Sequence, residues 1–69
     1  MSGSVYKVIE LVGTSEDSWE EAAKNAVKKA AESLKDLRVA EITTLDMRID
    51  DNKVVAYRAK VSVSFKYHT

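Results

Sequence analysis

The sequence contains no cysteine, no proline and a single histidine, His68. Without cysteine, neither a disulfide framework nor a thiolate zinc site is available. One histidine leaves no imidazole cluster for a metal. Neither sign of charge is in excess: eleven Lys and Arg balance eleven Asp and Glu. That balance argues against a nucleic-acid binder, whose footprint is basic. No apolar run approaches the roughly 18 residues of a membrane span, so no membrane partner is expected. The N-terminus lacks a charged segment followed by an apolar one, so no secretory signal is read and a cytoplasmic location is expected. Repeats, linkers and low-complexity segments are absent. The usual catalytic sets are missing too: there is no cysteine nucleophile, no glycine-rich phosphate loop and no His–Asp–Ser arrangement. His68 falls in a frayed C-terminus. A non-enzymatic protein is expected.

What is present is short. A chain of 69 residues is one domain and buries only about 60% of its unfolded surface. Small scaffolds are usually supported by disulfides, a metal or partner subunits, and oligomerisation is the support left here. Residues 1–4 are small and polar and read as a mobile tail; residues 5–69 form the domain.

The longest ordered signal is VVAYRAKVSVSFKY at 54–67. Val55, Tyr57, Ala59, Val61, Val63, Phe65 and Tyr67 alternate with Arg58, Lys60, Ser62, Ser64 and Lys66. Period-two alternation gives a strand with one apolar and one wet face, roughly 46 Å long at about 3.3 Å per residue. An earlier strand, 5–12, is rich in β-branched residues. Two rows compete for its core face, Val5, Ile9 and Leu11 with Lys7 or Tyr6, Val8 and Val12 with Glu10; the first is expected, with Lys7 snorkelling near an end. Gly13-Thr14-Ser15 breaks it. Ser18 and Glu21 form a capping box, and Glu16, Asp17, Glu20 and Glu21 set negative charge at the positive end of a helix dipole. The predicted helix runs over 19–37, about 28 Å. Its stripe is Trp19, Ala22, Ala23, Ala26, Val27, Ala30, Leu34 and Leu37. A second long strand, 37–49, follows, then a turn at Asp50-Asp51-Asn52-Lys53 with Asn52 suited to positive φ.

The order is strand, helix, strand, strand. A right-handed crossover leaves room for the last strand between the other two. The expected fold is α+β: β-α-β-β, a three-stranded antiparallel sheet of order 1-3-2 packed on one helix. Roughly 18 Å of apolar strand overhangs that helix. Its Tyr57, Phe65 and Tyr67 need cover from other chains.

Several residues admit a structural and a functional reading. Trp19 anchors the helix–sheet core or a subunit contact, or offers a stacking platform. Glu41 lies on the otherwise apolar row of Val39, Thr43, Leu45, Met47 and Ile49. It is an edge-strand carboxylate that pairs across strands or subunits, or an oxygen ligand for an ion. Asp46, Asp50 and Asp51 serve turn chemistry, or contribute to a calcium or magnesium site shared by several subunits. Arg58 and Lys60 form a solvated basic pair, or meet an anionic ligand in a cage interior.

Four segments resemble the dodecins: residues 5–15 (VYKVIELVGTS), the helix start Ser18-Trp19-Glu20-Glu21-Ala22-Ala23, Ala40-Glu41-Ile42, and Val61-Ser62-Val63-Ser64-Phe65. The resemblance covers almost the whole chain. It implies a β-α-β-β subunit, a homo-oligomer of twelve copies in a hollow sphere, and a small-molecule or ion ligand. Most of the family bind flavins. The flavin-stacking tryptophan of that site corresponds to Val39 here, and the glutamine that meets the ring edge corresponds to Arg58. Valine has no aromatic face and guanidinium has only donors, so weak flavin binding is expected. Arg38-Val39-Ala40, Asp46-Met47 and Tyr57-Arg58 look more like the calcium-dodecin branch. Glu41 and Asp46 are the candidate ligands for a divalent cation.

Overall fold

A computed structural model describes residues 3–67. It contains β1 (Tyr6–Ser15), α1 (Trp19–Ser33), β2 (Leu37–Asp50) and β3 (Lys53–Lys66). The three strands form one antiparallel sheet ordered β1-β3-β2, so the sequence-expected topology stands. Met1, Ser2, His68 and Thr69 lie outside the described residues, which removes His68 and half of the expected tail from structural comment. Among the described residues no helix is long and apolar enough to cross a membrane.

The alternation of β3 sorts its side chains as expected. Ala59, Val61 and Val63 are buried beneath the helix. They pair with Gly13, Leu11 and Ile9 of β1. Of the expected core face Ile9 and Leu11 pack against the core, whereas Val5 lies before the strand and is exposed. Above them Ala22, Ala23, Ala26 and Ala30 are buried on α1. These are small residues, and they let the helix settle close to the sheet. The largest fully buried side chains are Val61 and Val63.

Three sequence expectations are corrected. First, Gly13-Thr14-Ser15 does not break the strand: β1 runs through to Ser15, opposite Tyr57. Gly13 instead marks the closest approach of sheet and helix. A Cβ there would collide with the Ala22 carbonyl oxygen and sit 3.1 Å from the Ala26 Cβ. Second, the helix ends at Ser33, short of Leu37. Leu34 is its C-cap, with N–H donated to the Ala30 carbonyl at 2.9 Å, and Asp36 at φ 61° turns the chain into β2. Leu37 therefore belongs to β2, although its spacing continues the helical stripe. The helix is 15 residues, about 22 Å, so the strands outrun it further than the sequence implied. Third, the capping box is half formed. Ser18 is the N-cap and its Oγ accepts from Glu21 N at 3.1 Å. The Ser18 N–H is donated to Ser15 Oγ at 3.4 Å, and Ser15 Oγ also accepts from Asp17 N at 3.0 Å.

The hairpin turns through Asp51 (φ 51°) and Asn52 (φ 62°), between paired Asp50 and Lys53. Two central residues of positive φ match the twist of a long antiparallel hairpin. The result is a long, thin subunit of 56 × 20 × 15 Å. Its radius of gyration is 14.4 Å, against about 11 Å for a compact chain of this length.

The uncovered apolar surface lies only in part where the sequence indicated: Tyr67 is exposed as expected, and Phe65 is half-buried. Tyr57 is covered within the chain by Trp19, whose ring meets it edge-on at 5.1 Å and 70°. The helix sits over β1 and β3 and barely reaches β2. Ile42, Leu45, Met47 and Ile49 of β2 are all exposed. An apolar groove of about 310 Å³ runs between α1 and β2, along Ala23, Val27, Ala40, Ile42 and Val61.

Candidate functional site

The sheet face opposite the helix carries the candidate residues. Directly paired residues of neighbouring strands share a face, so the registers define rows across β1, β3 and β2. They read Val8–Ser64–Val39, Glu10–Ser62–Glu41, Val12–Lys60–Thr44 and Thr14–Arg58–Asp46.

Thr43 decides which side chains of β2 join this face. Ile42 pairs with Val61 and Thr44 with Lys60, so Thr43 is one extra residue opposite a continuous β3. Its Oγ1 donates to the Lys60 carbonyl at 3.2 Å. A single inserted residue reverses the facing of everything beyond it. Ala40 and Ile42 therefore face the helix side before the bulge, and Leu45 and Met47 after it. The expected common row of Val39, Glu41, Leu45 and Met47 is corrected: Val39 and Glu41 lie on the helix-free face, together with Asp46.

Arg58 and Asp46 form the best-defined interaction on this face. Arg58 Nε donates to Asp46 Oδ1 at 2.6 Å and Nη2 to Oδ2 at 2.9 Å, a bidentate fork. The hydrogen bonds from Arg58 hold the Asp46 carboxyl below the usual carboxylate range, and the same bonds raise the guanidinium above its ordinary value. From the helix side, Trp19 Nε1 donates to the Asp46 carbonyl at 3.0 Å. Trp19 is thus committed to anchoring β2 and Tyr57. Arg58 and Lys60 are not a free basic pair: Lys60 Nζ lies 3.8 Å from Glu10 Oε1. Ser62 Oγ donates to Glu10 Oε2 at 3.5 Å.

Glu41 is exposed and has no hydrogen bond or ion pair among the described residues. Glu10, on the far side of Ser62, shares its row with Val8 and Val12 as its even-numbered spacing implies, but the sequence did not mark it as a candidate ligand. Glu41 and Asp46 pair with Ser62 and Arg58, four positions apart on β3, so they stand about 13 Å apart. Calcium takes six to eight oxygens at about 2.3–2.6 Å. The donor chemistry of this face suits such a hard cation, but the oxygens of one chain do not close its shell. Among the described residues no three Asp, Glu, His or Cys side chains converge. Val39 and Arg58 share the face but stand six β3 positions apart, about 20 Å, so one chain does not bring them to a common ligand.

One short helix on a 1-3-2 antiparallel sheet, with a long hairpin extending past it, defines a small β-α-β-β class of subunit. A family profile described as Dodecin matches residues 5–68. The chain belongs to the dodecin family. It is 51% identical over 63 residues to a protein named calcium dodecin from Mycobacterium tuberculosis, covering 91% of this chain and 89% of that one. Among solved structures it superposes on a dodecin from Streptomyces coelicolor with TM-score 0.92 and 33% identity, covering 100% and 99% of the two chains. A crystal structure of calcium-chelating calcium dodecin from Mycobacterium tuberculosis, with a novel calcium-binding site, matches with TM-score 0.85 and 49% identity over 94% and 93%.

Proposed function

We propose that this protein is a binding protein rather than an enzyme: a closed homo-oligomer of twelve subunits that holds a divalent cation, calcium foremost, between copies. The observation that carries the reading is the Glu41 carboxylate. The Thr43 bulge sets it on the helix-free face, exposed and without a cationic partner among the described residues. Glu41 is therefore the leading ligand. Asp46 is the second, and it serves a metal only by exchanging Arg58 for it. Because one chain supplies too few oxygens, symmetry must bring copies of the same carboxylate together, as a rotation axis does. Two further facts support assembly. The fully buried core contains nothing larger than valine, and the α1–β2 groove leaves apolar surface for a second copy. The 51% identity to a protein named calcium dodecin favours calcium.

Calorimetric titration with calcium tests this reading. The unmodified oligomer is expected to release or absorb heat with a saturable isotherm. Glu41→Gln should weaken binding by about tenfold or more, roughly 1.4 kcal/mol, with Asp46→Asn having the smaller effect. A flat titration of the unmodified protein, or unchanged affinity in both variants, sinks the proposal.

A further inference from the structure

We infer that Arg48, Arg58 and Thr14 form a binding notch for a phosphate group, free or as a monoester, and that Asp46 gates it. The notch exists because β1 is shorter than β3. β1 ends at Ser15 opposite Tyr57, so the β3 residues before Tyr57 have no partner on that edge. The gap is a cavity of about 490 Å³ lined by Thr14, Ser15, Glu16, Arg48 and Arg58, with Val55 and Ala56 as its floor. Arg48 pairs with Ala56 and Arg58 with Thr14. The two guanidiniums thus rise from adjacent strands on one face, beside a threonine hydroxyl. Planar guanidinium forks match the oxygens of phosphate, and the cavity has room for an organic ester beyond the phosphate itself.

In the structure both forks are engaged by carboxylates. Arg58 is gripped by Asp46, and Arg48 Nη2 lies 3.4 Å from Asp50 Oδ2. With Glu16 on the rim, two guanidiniums and three carboxylates leave the notch net negative by one. An incoming phosphate is therefore held off until Asp46 lets go. A divalent cation on Asp46 changes the balance to plus one and frees Arg58 Nε and Nη2. Cation and phosphate binding are then positively coupled, and by linkage each strengthens the other by the same factor. The coupling rests on the cation reading above; the notch itself does not.

The experiment is calorimetric titration of the full oligomer. Inorganic phosphate and glycerol 3-phosphate are used in calcium-free buffer, and glycerol 3-phosphate again with sub-millimolar calcium. Asp46→Asn, checked by light scattering to keep the unmodified mass, is expected to bind both probes on the order of tenfold more tightly than the unmodified protein without calcium. Adding Arg48→Gln to Asp46→Asn should abolish the gain. Equal affinity for the two probes assigns the site to the free anion; tighter glycerol 3-phosphate assigns it to an ester. The inference is overturned if Asp46→Asn gains nothing, or if the gain survives Arg48→Gln. If Asp46→Asn gains affinity while calcium leaves the unmodified protein unchanged, the notch stands and the cation reading falls. Should Asp46→Asn fail to assemble, Asp50→Asn, which frees Arg48 from its carboxylate, decides without calcium: no gain in glycerol 3-phosphate affinity over the unmodified protein overturns the inference.

Discussion

Arg58 and Asp46 face each other across β3 and β2 and are joined by two hydrogen bonds, at 2.6 and 2.9 Å. The pair is about half exposed, so solvent screens it. Its effect on stability is directional in pH. Asp46 titrates below its ordinary value of 3.8 in the folded chain. A depressed folded pKa contributes stability above the unfolded pKa, and that contribution is lost as pH falls through the folded one. Thermal midpoints of the unmodified protein and Asp46→Asn should therefore differ at pH 5 and converge below pH 3.8. A difference that persists undiminished to pH 2 would show that the pair does not set it.

Gly13 is expected to tolerate no side chain. Gly13→Ala drives a methyl into the Ala22 carbonyl oxygen, and overpacking of this kind costs about 1–3 kcal/mol or more. Gly3→Ala, with nothing within 4 Å, is the control and should be silent. Denaturant midpoints of the two variants check this, and equal midpoints would refute the close approach.

Ser18→Ala should lower stability by about 1 kcal/mol per subunit through loss of the N-cap. Glu21→Ala should cost less, because Ser15 rather than Glu21 accepts from the Ser18 N–H. Thermal unfolding of the two variants separates these contributions. A larger loss from Glu21→Ala would restore the reciprocal capping box.

The elements that bury apolar side chains on one face were legible from residue order. β3 announces itself through strict alternation, and the crossover rule then places it between β1 and β2. The helix start is legible because Ser18 and the acidic first turn are local signals. Its end was not, since Leu34 and Leu37 continue the helical spacing and only the left-handed turn at Asp36 ends it. The Thr43 bulge was invisible for a related reason. β2 is exposed along nearly its whole length, so its residue types carry no inside-outside pattern that could betray a change of facing. Glu41 was singled out as a carboxylate on an apolar row, and of that row Val39 shares its face while Leu45 and Met47 do not. The Asp46–Arg58 pairing depends on register across the hairpin, and a second irregularity, between Arg48 and Ile49, shifts that register by one: without it Asp46 would face Tyr57.

Flavin binding should be weak. Val39 is 62% exposed on the helix-free face but presents no ring, and Trp19 is held by Asp46 and Tyr57. Val39→Trp should recover part of the affinity, since stacking on an aromatic contributes roughly 1–3 kcal/mol per ring in nucleobases. Val39→Trp with Arg58→Gln should recover more, and Arg58→Gln alone little. Quenching of flavin fluorescence ranks the variants. Nanomolar quenching by the unmodified protein would contradict this account.

Native mass spectrometry with and without calcium tests assembly and cation binding together. The account predicts one dominant species of twelve 7.7 kDa chains, about 92 kDa. Added calcium should shift it by a fixed number of ions per twelve chains, and Glu41→Gln should reduce that shift. A stable monomer or dimer at micromolar concentration, or a twelve-chain species whose mass does not respond to calcium, would contradict it.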